Sequence, residues 1–136
     1  MFNRKKGFTL IELLVVIAII GILATIVLIN LNAARNKAKA AAVKGAMSEL
    51  RGAAEMYYDD NSSTYVGFAA SADYVRINAN ITTNGASIAG FYSASGYCIE
   101  SEDVPGTATT WCVDSTGYSG ATASCAAGTD CSGTAF

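Results

Sequence analysis

Four cysteines, eleven carboxylates and nine Lys or Arg side chains are the groups in this 136-residue chain that could do chemistry, and no histidine stands among them. Without His, no Ser-His-Asp or Cys-His couple can be assembled and no imidazole can hold zinc. No nucleophile motif is present either, so an enzyme is not expected. Cys98, Cys112, Cys125 and Cys131 all fall in the last 39 residues and form no CxxC pair, which argues against a zinc ribbon or a thioredoxin-type couple. An even number of cysteines beside an apolar N-terminal segment reads as disulfides formed outside the cytoplasm. Asp59 and Asp60 could supply one half of a calcium site, and Glu100, Glu102, Asp103 and Asp114 another, since calcium takes ~6–8 oxygens. No EF-hand spacing accompanies them, and solvated turn acids are the plainer reading, so no cofactor is expected. The remaining carboxylate of interest is Glu12, the only acid between residues 1 and 48.

The elements that must position these groups are unevenly apolar. Hydrophobic residues make up 51% and charged residues 15%, which excludes a disordered, charge-rich chain. The net charge is −2, and no basic stretch carries interleaved aromatics, so no dedicated nucleic-acid site is evident. From Leu13 to Ile29 the chain reads LLVVIAIIGILATIVLI, and the uncharged stretch continues to Ala34. As helix it is ~33 Å long, enough for the ~30 Å core of a bilayer. A secretory signal would use Arg4, Lys5 and Lys6 as its basic start and Ala38-Lys39-Ala40 as its cut site. The apolar run is too long for that. A plain membrane anchor fits the length but gives no reason for Glu12, since a carboxylate within an apolar helix costs ~2.5–3.5 kcal/mol on insertion scales.

Residues Lys6-Gly7-Phe8-Thr9-Leu10-Ile11-Glu12-Leu13-Leu14 closely resemble the processing site of type IV prepilins and their pseudopilin relatives. The resemblance covers about residues 4–34, from basic leader through the Gly-Phe junction into the apolar run. It implies that a prepilin peptidase cuts between Gly7 and Phe8 and that Phe8 is then N-methylated. It also implies that Glu12 answers the N-terminus of a neighbouring subunit during assembly. Gly21 matches a small residue common in the family's helix. Ile29 departs from it, standing where many members carry proline, so the kink or opening that proline supports is not carried over. Lys and Arg flank both ends of the span (Arg35, Lys37, Lys39 and Lys44 follow it), so charge alone does not orient it. The cysteines and the leader do: N-terminus in, C-terminal domain out.

Beyond the span, Val43, Ala46, Met47, Leu50, Ala53, Ala54 and Tyr57 form an i, i+3, i+4, i+7 stripe opposite Lys44, Ser48, Arg51 and Glu55. With no proline in residues 8–58, one helix is expected over that range, apolar all round at first and amphipathic later. Strands are expected at Tyr74–Asn78, Ser87–Ser93, Gly96–Ser101 and Thr109–Asp114. A hairpin about Pro105 would set Ile99 against Trp111 and Cys98 against Cys112, which favours a Cys98–Cys112 bridge, while proximity in the tail favours Cys125–Cys131.

The expected fold is therefore α+β: a long N-terminal helix, transmembrane in its first half and amphipathic in its second, packed on a small antiparallel sheet with a disulfide-stapled C-terminal region. The expected organisation is a leader at 1–7, a membrane and filament-core helix at 8–34, its amphipathic half at 35–58 and a head at 59–136. The function implied by the resemblance is a pilin that polymerises into a type IV pilus-like filament, first inserted in the cytoplasmic membrane and then extracellular. Its implied partners are copies of itself, prepilin peptidase, the inner-membrane assembly platform and, before assembly, membrane lipid. A pseudopilin of a secretion or DNA-uptake system is the alternative within the class. A membrane-anchored binding domain that never polymerises is the alternative outside it.

Overall fold

A computed structural model describes residues 7–107, 109–122, 125–126 and 128–136. The leader residues before Gly7 lie outside that set. The chain forms two compact units, residues 1–35 and 36–136. Helix α1 (Leu10–Asp60) begins in the first and contributes its second half to the next, and it runs through Ile29 without a break. Within the first unit every described side chain from Gly7 to Arg35 is exposed. From Leu13 to Ile29 these side chains are apolar apart from Thr25, and the helix is long and apolar enough to cross a membrane.

In the second unit the stripe on α1 does what its spacing dictates: Ala40, Val43, Ala46, Met47, Leu50 and Ala54 are its buried residues. They share one core with Ile77 and Ile81 of α2 (Ala72–Thr83) and with Tyr97, Ile99 and Val113 of the sheet. Each fully buried Val, Leu, Ile or Met contributes ~1.5–3 kcal/mol.

Helix α2 replaces the strand expected at Tyr74–Asn78. Ser71 caps it by accepting the Tyr74 N–H at 3.2 Å. Ile77 and Ile81, four residues apart, bury one face against the core. At its end Gly85 takes φ +88°, and Gly85 and Ala86 donate to Thr82 and Ile81 at 2.9 and 3.3 Å, which is a Schellman stop.

The sheet is an antiparallel meander in the order β1 (Ser87–Tyr92), β2 (Tyr97–Glu102), β3 (Thr110–Asp114) and β4 (Ser119–Thr122). Strand β4 was not expected, because Ser-Gly-Ala-Thr carries no apolar alternation to announce it. The β2–β3 hairpin is centred on Gly106, at φ +73°, one residue later than expected. That moves the register by two: Ile99 faces Val113, Glu100 faces Cys112 and Cys98 faces Asp114. Successive residues of β2 point to opposite faces. Tyr97 and Ile99 enter the helical core, whereas Cys98 belongs to a second cluster with Cys112, Cys125 and Cys131. Strand β2 is accordingly buried from Tyr97 through Ser101.

Aromatic hydroxyls are enclosed in the core with few acceptors. Glu55 accepts from Tyr65 at 2.9 Å and from Tyr97 at 3.3 Å. Burial is the main cause that pushes ionisation of Tyr65, Tyr92 and Tyr97 well above the ordinary 10.0, and the Glu55 carboxylate adds to it at Tyr65 and Tyr97. An unfolded tyrosine gives up its proton near pH 10 while these three retain theirs. The unfolded state then binds fewer protons, so stability falls as pH rises, by up to about 1.4 kcal/mol per pH unit for each of Tyr92 and Tyr97, and by less for Tyr65, whose environment solvent screens more. We expect the tyrosinate absorbance of these three to appear together with loss of the near-ultraviolet circular dichroism above pH 10. Ionisation of all seven tyrosines while that signal persists would contradict the buried cluster.

Candidate functional site

Two groups of residues singled out by type and spacing acquire geometry. The first opens α1. Gly7, Phe8 and Thr9 precede the helix in irregular backbone, and Phe8 is 87% exposed. The Gly7-Phe8 bond thus lies outside regular secondary structure, next to a helix start. Thr9 and Glu12 make a reciprocal capping box: the Glu12 N–H donates to Thr9 Oγ1 at 3.3 Å, and Glu12 Oε2 accepts from the Thr9 N–H at 2.8 Å and the Thr9 hydroxyl at 2.7 Å. An acid in the first turn also complements the helix dipole. The Thr-x-x-Glu spacing is itself a signal of a helix start in the sequence, one that the charge of Glu12 overshadows. From Leu10 to Leu31 the helix then offers exposed Leu, Ile and Val on all sides, such as Leu10 at 80% and Ile22 at 63%. A surface of that kind is stable only in lipid or against other apolar helices.

The second group lies on the sheet face opposite the helical core. Cys98 is joined to Cys125 and Cys112 to Cys131, with Cα separations of 5.7 and 6.0 Å. The expected pairs Cys98–Cys112 and Cys125–Cys131 are therefore incorrect. Because of the Gly106-centred register, Cys98 and Cys112 are not direct partners across the strands but lie offset on one face, and each reaches the C-terminal tail. Two carboxylates bring the tail there. Glu100 accepts the Cys125 N–H at 2.8 Å, and Asp114 accepts the Cys131 N–H at 2.9 Å. The other oxygen of Asp114 takes the N–H groups of Thr116 and Tyr118 and the Thr116 hydroxyl, and the residue is fully buried. Glu100 and Asp114, weighed above as calcium ligands, thus hold backbone. Asp130 shapes the tail in the same way: the Ser132 hydroxyl and the backbone N–H groups of Thr134 and Ser132 hold its carboxyl below the usual range. Glu102 and Asp103 border an open recess with Thr107, Thr109 and Thr110, while Asp59 and Asp60 are exposed at the end of α1. Of the basic residues, Lys44 lies over the Trp111 ring at 4.5 Å from its centroid, and Arg35, Lys37 and Lys39 are exposed.

A bare apolar helix opened by a capped Gly-Phe junction, with an α+β head closed by two cystines, defines a membrane-inserted subunit built to pack its helix against others. The profile of the prokaryotic N-terminal methylation motif matches residues 2–28. The major component of the type IV wide pilus of Thermus thermophilus is 41% identical over 99 residues, covering 71% of this chain and 72% of that protein. Type II secretion system core protein G of Klebsiella pneumoniae is 46% identical over 60 residues, 44% of this chain and 43% of its own. The Escherichia coli core protein G is 41% identical over 59 residues, so the chain spans less than half the length of either protein G. No solved structure matches significantly.

The chain belongs to the type IV pilin and pseudopilin family, whose members are structural subunits rather than enzymes. Membership implies assembly with other copies and processing by a prepilin peptidase. The prepilin-type signal and apolar helix fit insertion in the membrane, followed by a pilus or pseudopilus filament at the cell surface.

Proposed function

We propose that this chain is the repeating subunit of a type IV pilus-like surface filament rather than of a short secretion pseudopilus. The observation that carries this choice is the reach of the similarity. A match of 99 residues to a pilus major component cannot be confined to the 51-residue helix and must include the head, whereas 60 residues shared with core protein G can be accommodated by the N-terminal region alone. Those core protein G relatives favour the pseudopilus as the second reading.

In this account residues 1–7 are the removed leader and residues 8–34 span the membrane and later form the filament core. Residues 35–58 carry the amphipathic half of the helix, and residues 59–136 form the exported head. Prepilin peptidase cuts after Gly7, Phe8 is N-methylated, and the assembly platform draws the subunit from the lipid. An exposed apolar helix offers a heterologous, non-closing contact, which yields open helical polymers. Before assembly lipid covers the helix; afterwards neighbouring helices do.

Electron microscopy of sheared surface material, with an antibody to the head, tests the choice. Long filaments decorated along their length are expected. Processed subunit confined to the cell envelope, with no sheared filament, would overturn the pilus reading in favour of a pseudopilus or a non-polymerising anchor.

A further inference from the structure

We propose that the reduced chain binds one zinc ion through Cys98, Cys112, Cys125 and Cys131, as a four-thiolate site that the two disulfides later replace. The sulfurs of the separate cystines converge: Cys98 Sγ lies 3.3 Å from Cys112 Sγ and 3.8 Å from Cys131 Sγ, and Cys112 Sγ lies 3.4 Å from Cys125 Sγ. All four sulfur atoms fall within 4.8 Å of one another. A tetrahedral zinc site with ~2.3 Å bonds places its sulfurs ~3.8 Å apart, so opening the two covalent pairs along their own edges leaves a set of the required size.

The convergence does not depend on the disulfide bonds alone. Cys98 and Cys112 sit on neighbouring strands, whose ladder sets their spacing. Cys125 and Cys131 are tied to the same sheet face by their N–H groups, donated to Glu100 and Asp114 at 2.8 and 2.9 Å. Neither contact uses a cysteine sulfur, so reduction removes neither the donor nor the acceptor. The cluster is also enclosed, with Cys98, Cys112 and Cys131 buried, which shields thiolate–metal bonds from water. Thiolates suit zinc over the harder magnesium and calcium. Zinc binding itself needs no oxidant: a newly made chain carries four thiols, and one zinc ion replaces their four protons. Replacement of the site by two disulfides removes four electrons, which pass to a thiol–disulfide oxidant outside the cytoplasm as zinc leaves. The oxidised head, its sulfurs joined in pairs, has no thiolate to offer.

Full-length chain in detergent, reduced with a phosphine and kept free of oxygen, is titrated with cobalt(II) and then zinc(II). We expect one cobalt per chain, thiolate-to-cobalt charge transfer with tetrahedral visible bands, and loss of both on adding one equivalent of zinc. Thiol-reactive groups should fall from four to near zero with zinc bound. The oxidised chain should give no band, and Cys98→Ser should weaken zinc binding at least ~10-fold. Should the reduced head loosen without metal, zinc, which unlike cobalt does not quench indole, must restore the Trp111 emission maximum of the oxidised head. Four free thiols without a charge-transfer band, one metal shared by two chains, or a band without recovery of Trp111 emission would each overturn the proposal.

Discussion

Glu12→Gln leaves the precursor cut and inserted but lowers filament yield at least ~10-fold, a loss of more than about 1.4 kcal/mol per assembly step. The choice of glutamine follows from the capping box. Glu12 accepts from the Thr9 N–H and hydroxyl, and a glutamine side-chain carbonyl can accept both bonds. The substitution therefore keeps the helix start and removes only the charge. Once the chain begins at Phe8, a free amino group lies beside the apolar run, and a positive charge there is costly unless a carboxylate meets it. Glu12 is the only acid within the first 48 residues, so we propose that it supplies that carboxylate, whether within the chain or on an incoming copy. Under the intermolecular account the lost partner is felt at each addition to the filament, not in the head. Glu12→Ala would be a poorer test, because it also loses the two bonds that Glu12 accepts from Thr9 and with them the reciprocal half of the capping box. Comparing processed subunit in membranes with subunit in sheared filaments measures the effect. Normal filament yield for Glu12→Gln would leave Glu12 with the capping role alone.

Asp114→Ala destabilises the head by about 4 kcal/mol, the largest effect expected of any single carboxylate. Asp114 is fully buried and accepts from four donors, among them the Cys131 and Tyr118 N–H groups. Leaving a buried donor unmatched costs about 1–3 kcal/mol, and several lose their acceptor at once. Asp114→Asn is milder, at about 1–3 kcal/mol, because one oxygen can still serve the Thr116 and Tyr118 donors while an amide NH2 faces the Cys131 N–H. Denaturant unfolding of the oxidised chain gives both values. In the alanine variant the tail also loses its anchor beside Cys112, so peptide mapping should show Cys98–Cys112 bridges between sulfurs that otherwise stand 3.3 Å apart unbonded. A loss under 1 kcal/mol with unchanged pairing would contradict the role assigned to Asp114.

The long helix was legible because its two halves use different patterns, unbroken apolar residues to Ala34 and then the Val43–Tyr57 stripe, and each matches a 3.6-residue period or a span length. Helix α2 is hard to see in the sequence because Tyr74, Val75 and Ile77 have strand-forming side chains. Its cap at Ser71, the Ile77–Ile81 spacing and the Asn84-Gly85 stop were all in the sequence, and tertiary packing of the two isoleucines outweighs propensity. The Pro105-Gly106 pair announces the β2–β3 hairpin, but the positive φ falls at Gly106, which puts the centre one residue beyond the proline. One residue of error in a turn moves the register by two, and the cystine pairing fails with it. No local signal could have corrected the pairing. Glu100 and Asp114 direct the tail cysteines through backbone N–H groups, and hydrogen bonds spanning 25 and 17 residues leave no periodic trace.

The most direct test is the intact mass of the subunit in sheared filaments, measured before and after reduction. We expect a chain that begins at Phe8, carries one added methyl group, and gains four hydrogens on reduction of its two disulfides. A filament subunit that begins at Met1 or Ala41 would contradict the account.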